Sequence, residues 1–385
     1  MPTEKKKPVK SKKSKKASDS SAKEVIAGEH AIAAAATSTT AMIGAASKGP
    51  SYKAVEIENF AQFEEEFGEL MDAAELGYAV RQFFLNGGMK VWVVRAAKPL
   101  DEERLKQALD ALDEVEDFGL FTIPGMKNTQ LLPSVIAYAR KRRAFTLIDL
   151  PEEVRTTQQA ALAVQHGNIP WTSDAAFYYP RILIPDAKHP ERLRRSTPAG
   201  SVAGLIARTD REQGVWKAPA GAEAVLEGVM DVDERLASRD QELLNPHGIN
   251  AIKPHGENQF FVWGARTLEE HRGYQGIFRY IPVRRLALFI EKSIVQSMKW
   301  TASQANDKVL WASIRKSIET FLRALLREGA LKGNSAKEAY AVRCDKTTMT
   351  PREIASGQIK VLVDFAPVVP AEFITLKFTF KSAQP

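Results

Sequence analysis

Between residues 40 and 185 the chain alternates short apolar runs with amphipathic segments, and that alternation constrains its fold more than any other feature. Buried strands joined by helical crossovers form a layered α/β structure with a parallel sheet. The apolar runs are Ala41 to Ala45, Val91 to Arg95, Gly119 to Ile123, Phe145 to Leu150 and Arg181 to Ile184. Helical spacing fills the gaps at Leu76 to Leu85, Glu102 to Leu112, Gln130 to Arg142 and Glu152 to His166. Residues 186–256 are richer in Pro, Gly and charge and read as a connecting region, with helices near Val202 to Arg208 and Asp233 to Leu244.

The C-terminal part has a different rhythm. Leu286, Ile290, Ile294 and Met298 recur at helical spacing, as do Leu310, Ile314, Ile318, Phe321, Leu322 and Leu325. Each of these helices carries one apolar stripe and one charged face. Ile359, Val361 and Val363 then alternate with polar residues, and Ile374, Leu376, Phe378 and Phe380 alternate with Thr375, Lys377, Thr379 and Lys381. The last strand is apolar and lies close to the final residue. An unpaired apolar edge promotes aggregation, so a neighbouring subunit is its expected partner.

Charge narrows the function classes. The formal net charge of +7 comes from the first 23 residues, where nine Lys face Glu4 and Asp19. The rest carries 45 basic and 45 acidic residues, which argues against a basic nucleic-acid-binding face on a folded domain. The Lys5 to Lys16 tract has little to bury and reads as a disordered, solubilising or tethering arm, with contact to an acidic partner or a membrane surface as the alternative. The Ala-rich run after it contains no Leu-rich core and follows Glu29 and His30, so it does not read as a signal peptide. No stretch approaches the ~18 to 20 apolar residues of a membrane span. A single cysteine, Cys344, allows no intrachain disulfide and suits assembly in the cytoplasm.

Catalytic patterns are weak. The strand exits lack the spaced glycines of a phosphate cradle: Ala96-Ala97-Lys98-Pro99 follows one, and a lone Gly125 follows another. Asp149 ends a strand where α/β enzymes place acids, yet before Pro151-Glu152-Glu153 it more simply introduces a helix. His247, His255 and His271 with Glu257 and Glu269 match no zinc spacing. No cofactor is expected. An α/β enzyme with an acid-base site near Asp149 remains the alternative function.

Several separated motifs, in order, resemble contractile tail sheath proteins. Asn245-Pro246-His247-Gly248-Ile249-Asn250 is similar to the family's turn, and Gln259 to Trp263 followed by Gly264-Ala265-Arg266-Thr267 to its next strand. Tyr280-Ile281-Pro282-Val283-Arg284-Arg285 resembles the opening of its long helix. Ala199 to Arg211, Gly214 to Gly221, Thr37 to Pro50 and Ala366 to Ile374 are also similar, so the likeness spans about residues 31 to 385. One departure is Ser21 to Glu29, which has no aromatic residue and only Val25 and Ile26 as β-branched residues, unlike the family's first strand.

The resemblance implies a two-lobed α/β (α+β) sheath fold with terminal arms that exchange strands between subunits. The expected division is an arm at 1–30, an α/β lobe at 31–200, a connecting region at 201–256, a C-terminal domain at 257–369 and a linker strand at 370–385. Phe373, Ile374, Leu376, Phe378 and Phe380 are the expected intersubunit strand, with Val25 and Ile26 in the N-terminal donor. The charged faces by themselves read as solvated surface, but the resemblance implies an inner-tube surface there, at Arg284, Arg285, Lys292, Lys299, Arg315, Lys316, Arg323 and Arg327. Implied partners are further copies in a helical stack of six-fold rings, an inner tube, and baseplate and cap proteins, with neither nucleic acid nor membrane insertion. The implied function is a non-enzymatic sheath that contracts from a metastable extended state, in a phage tail, a bacteriocin or an injection particle assembled in a bacterium.

Overall fold

In a computed structural model, the structure describes residues 30–167, 169–187, 189, 191–256, 258–269, 276–368 and 374–382. Val25, Ile26, Phe373, Glu257, His271 and the Lys-rich arm lie outside them.

An eight-stranded sheet organises the first lobe. Its strands are β1 (Thr40–Gly44), β2 (Ala54–Ile57), β3 (Val91–Arg95), β4 (Leu120–Thr122), β5 (Phe145–Asp149), β6 (Ala175–Tyr179), β10 (Ile249–His255) and β11 (Gln259–Trp263), in the order β11-β10-β6-β5-β4-β1-β3-β2. The six inner strands are parallel, and β2 and β11 are antiparallel edges. Helices α1 (Phe60–Phe67), α2 (Leu76–Leu85), α3 (Glu102–Asp113), α4 (Leu132–Lys141) and α5 (Thr157–His166) provide the layers. Strands β7 (Ile182–Pro185), β8 (Leu193–Ser196) and β9 (Asp231–Val232) form a small separate sheet. The run at Arg181 to Ile184 is therefore a strand, but not one of the main sheet. Ala175–Tyr179 takes that place, buried at all five positions and lacking any alternation to reveal it.

Helix α6 (Ala199–Gln213) packs on α2 at backbone distance. A Cβ on Gly200 would lie 2.3 Å from the Ala79 carbonyl oxygen, and one on Gly204 2.3 Å from that of Phe83. Glycines four apart line one helix face, so only this spacing admits the contact. With α7 (Ser238–Leu244) and β10, α6 makes residues 201–256 part of the first lobe. The expected connecting region is thus incorrect, because its apolar residues Val202, Leu205, Ile206, Leu226 and Ile252 complete the first core. The expected start of the second domain at residue 257 is also too early, since β11 pairs with β10.

The C-terminal domain holds α8 (Ile281–Ser297), α9 (Lys308–Arg327), α10 (Ala336–Ala339) and α11 (Pro351–Ala355). Its antiparallel sheet runs β12 (Tyr340–Arg343), β13 (Gln358–Phe365) and β14 (Ile374–Lys381). The alternating residues Ile359, Val361, Val363, Ile374, Leu376 and Phe378 join the apolar stripes of α8 and α9 in one buried core.

Candidate functional site

The charged residues of α8 and α9 occupy two different environments. Arg284, Arg285 and Lys292 are buried against the first lobe. Arg285 grips Asp210 of α6 with two nitrogens, at 2.7 and 2.6 Å, and donates to the Thr37 carbonyl at 3.0 Å. Arg284 Nε donates to Asp174 Oδ1 at 2.8 Å, while Arg140 Nε takes Asp174 Oδ2 at 2.6 Å. Lys292 pairs with Asp117 and donates to the Phe118 carbonyl. The expectation that these three face an inner tube is corrected: each cation is committed to a carboxylate of its own chain.

Electrostatics fit a closed seam. Burial pushes the Asp174 carboxyl upward, but Arg284 and Arg140 outweigh it and hold the group below the ordinary aspartate range. Burial pulls the Lys292 ammonium down, and Asp117 offsets only part of this. Buried ion pairs contribute little net stability, yet losing one partner strands a charge in low dielectric. The seam therefore fixes α8 in place on the first lobe.

Helix α9 presents a different surface. Lys316, Arg323 and Arg327 are exposed and share a face with Lys308, while Lys299 is exposed in the short turn after α8. Arg315 is half-buried and donates to the Cys344 carbonyl at 2.8 Å, so it contributes less to that face. Charge is also divided between the two lobes. Residues 24–275 carry 27 basic and 36 acidic side chains, and residues 276–385 carry 18 and 9. The overall neutrality of the body conceals an acidic lobe and a basic domain.

The terminal segments meet on the C-terminal domain. Residues 30 to 37 run along α8: the Ala33 and Ala35 amides each donate to a serine hydroxyl, Ser297 and Ser293, at 3.0 Å. Ile32 enters the second core, and His30 stacks on Trp300 at 3.7 Å. Strand β14 pairs along its full length with β13 of the same chain, and its Ile374, Leu376 and Phe378 are buried; Phe380 packs partly against the same core. Among the described residues no strand covers its other edge.

Asp149 is enclosed rather than presented to solvent. It accepts the Gly125 amide at 3.1 Å and the Ala199 amide, at the start of α6, at 3.2 Å. Burial pushes its carboxyl up to about 6, against partial relief from Arg181 and those amides. The aspartate joins β5, the turn after β4 and α6. His247 sits in a short turn closed by Gly248 at φ 67°, and His255 lies edge-on to Phe261 on β11. No group of three metal-ligating side chains occurs among the described residues, and no helix among them is long and apolar enough to cross a membrane.

Residues 100–268 match the family model for the phage tail sheath protein central domain, and residues 276–381 match that for the phage tail sheath C-terminal domain. The second match falls on the C-terminal domain, and the first covers the first lobe from residue 100 onward, after β1, β2 and β3. The chain superposes on a subunit from the anti-feeding prophage baseplate with TM-score 0.73 and 30% identity, covering 92% of this chain and 96% of that one. The chain belongs to the tail sheath protein family. Sheath subunits of an extracellular contractile injection system, solved in the contracted state, match with TM-score 0.72 and 26% identity over 92% of this chain and 95% of theirs. The tail sheath proteins of Vibrio phage KVP40 and Enterobacteria phage T4 are 29% and 27% identical over 51% and 47% of this chain. Those matches span only 28% and 26% of the phage proteins' own lengths.

Proposed function

We propose that this protein is the structural sheath subunit of a contractile injection particle. Copies polymerise as a helical stack of six-fold rings around an inner tube, attached to a baseplate and assembled in the bacterial cytoplasm. The observation that carries the reading is the whole-chain likeness, at 30% identity, to a sheath subunit solved in a contracted helical sheath. A repeated contact between unlike faces that does not close into a ring generates an open helix.

Two surfaces suit such an assembly. Among the described residues no strand pairs with the outer edge of β14, which suits it to receive a strand from another copy, an association in which backbone bonds give affinity. Because β14 belongs to the second core, removing residues 370–385 would expose that core as well as an edge. The exposed basic face of α9 supplies a surface for an acidic inner tube. Contraction then relaxes a kinetically trapped packing, with rigid subunits changing partners rather than fold.

The α9 face is tested by charge reversal. Lys316→Glu with Arg323→Glu and Arg327→Glu changes only exposed side chains, so the subunit keeps its unfolding midpoint while co-assembly with its tube protein falls at least tenfold in a pelleting assay. Undiminished co-assembly of the variant refutes the assignment of this face.

A further inference from the structure

The seam between the lobes is not completely filled. It leaves an open cavity of about 250 Å³. Arg143 enters this space from the first lobe, Arg285 and Lys292 from α8 and Thr37 from the N-terminal segment, with Phe145 and Leu288 among the apolar walls. Among the described residues no carboxylate lines it. Cations of one sign around a space with apolar walls concentrate a positive potential there.

The charge of Arg143 is the least well answered of the three. Arg285 and Lys292 each hold a carboxylate, Asp210 and Asp117. The Arg143 Nε is buried without a hydrogen-bond partner among the described residues, and it lies 3.7 Å from Glu291. That carboxylate also accepts from Arg284 at 3.3 Å. The ion pairs of the seam thus set Arg140, Arg143, Arg284, Arg285 and Lys292 against Asp117, Asp174, Asp210 and Glu291, five cations to four carboxylates. Burial lowers the Lys292 ammonium most, and against the relief from Asp117 both Arg142 and Arg143 lower it further. Arg143 also holds an unusual backbone position. It follows α4 at φ 52°, a left-handed conformation that glycine adopts freely and other residues rarely do. Strain kept at one residue points to a role for its side chain.

We propose that the cavity binds a small oxyanion of the phosphate class, held by the Arg143 guanidinium and the Lys292 ammonium. A planar guanidinium offers paired N–H donors that match an oxyanion, and an ammonium adds a point charge. The ion supplies the negative charge that the seam lacks, which a water molecule would not. Because Arg143 lies in the turn before β5 and Lys292 on α8, it also ties the first lobe to the C-terminal domain.

Inorganic phosphate is titrated into soluble full-length protein at constant ionic strength, held with sodium chloride, and the unfolding midpoint is followed by circular dichroism. The midpoint rises by about 2–4 °C and then saturates, as a ligand of the folded state requires. The general salting effect of phosphate acts on any protein surface and does not saturate. Arg143→Gly suits the backbone at that position, so the variant folds, and its midpoint shows no saturable response. An equal rise in wild type and variant, or no saturable rise in wild type, overturns the proposal. In a second measurement, phenylglyoxal modifies the native protein and peptide mapping follows Arg143, whose side chain is 36% exposed. Saturating phosphate slows the reaction at Arg143 by about tenfold or more and leaves that at exposed Arg323 unchanged. Equal slowing at both arginines, or none at Arg143, also overturns it.

Discussion

Asp210→Ala is the sharpest perturbation of the seam between the two lobes. The side chains of Arg285 and Asp210 are 3% and 4% exposed, and two short hydrogen bonds join them. Removing the carboxylate leaves the guanidinium buried with a single carbonyl partner, Thr37. A buried pair broken in this way costs about 3–5 kcal/mol. Asp210→Asn keeps one acceptor without its charge, so it should lose about 1.5–3 kcal/mol, the range for a hydrogen bond to a charged group. Replacing both partners, as Asp210→Leu with Arg285→Met, removes the stranded charge and recovers most of the loss. What persists is the Thr37 hydrogen bond, about 1 kcal/mol. Equilibrium urea unfolding of the soluble subunit, followed by tryptophan fluorescence and far-ultraviolet circular dichroism together, measures each step. The seam also sets cooperativity: wild type unfolds with the two signals coincident, and Asp210→Ala separates them as the lobes uncouple. A loss under about 1 kcal/mol in Asp210→Ala, or a double variant whose loss equals the sum of the singles, would refute the reasoning.

Three further outcomes follow from other parts of the fold. Asp149 holds its proton in the folded chain up to about pH 6, against 3.8 ordinarily, so it contributes stability below about pH 3.8 that is lost as pH rises through about 6. The wild-type minus Asp149→Asn stability difference therefore declines by about 3 kcal/mol from below pH 4 to above pH 7, and a flat difference in urea titrations contradicts this. Cys344 is fully buried with its thiol pushed up to about 12, so a thiol reagent at pH 8 leaves the native subunit unmodified and reacts stoichiometrically in denaturant; rapid native labelling would show the site to be open. Gly204→Val forces a side chain against the Phe83 carbonyl of α2 and lowers stability by about 1–3 kcal/mol, whereas an unchanged unfolding midpoint would mean that the helices have room to part.

Periodicity made the elements of both lobes legible where one face is buried and the other is wet. Helix α2 and strands β3 and β11 occur where the pattern put them, and the alternation in β13 and β14 gave their buried faces. It failed where no contrast exists along the chain. Strand β6 is buried at every position and begins with two alanines, and β10 carries Pro254 and His255 at its end. Helix α1 has its own sequence signal in Asn59, whose side chain caps the Gln62 amide, and in the spacing of Phe60, Phe63 and Phe67, but it is too short for periodicity alone to mark it. The seam is hidden from the sequence for a different reason. The basic face of a helix has the same sequence pattern whether water or a distant carboxylate covers it, and Asp117, Asp174 and Asp210 lie 75 to 175 residues from their partners. Lys316, Arg323 and Arg327, by contrast, are exposed.

Electron microscopy of the purified full-length protein at high concentration tests the central claim most directly. Hollow, helically striated tubes of uniform diameter, in the contracted lattice because no inner tube templates the extended one, are the result expected of a sheath subunit. Dispersed monomers that persist after tube and baseplate proteins are supplied would contradict it.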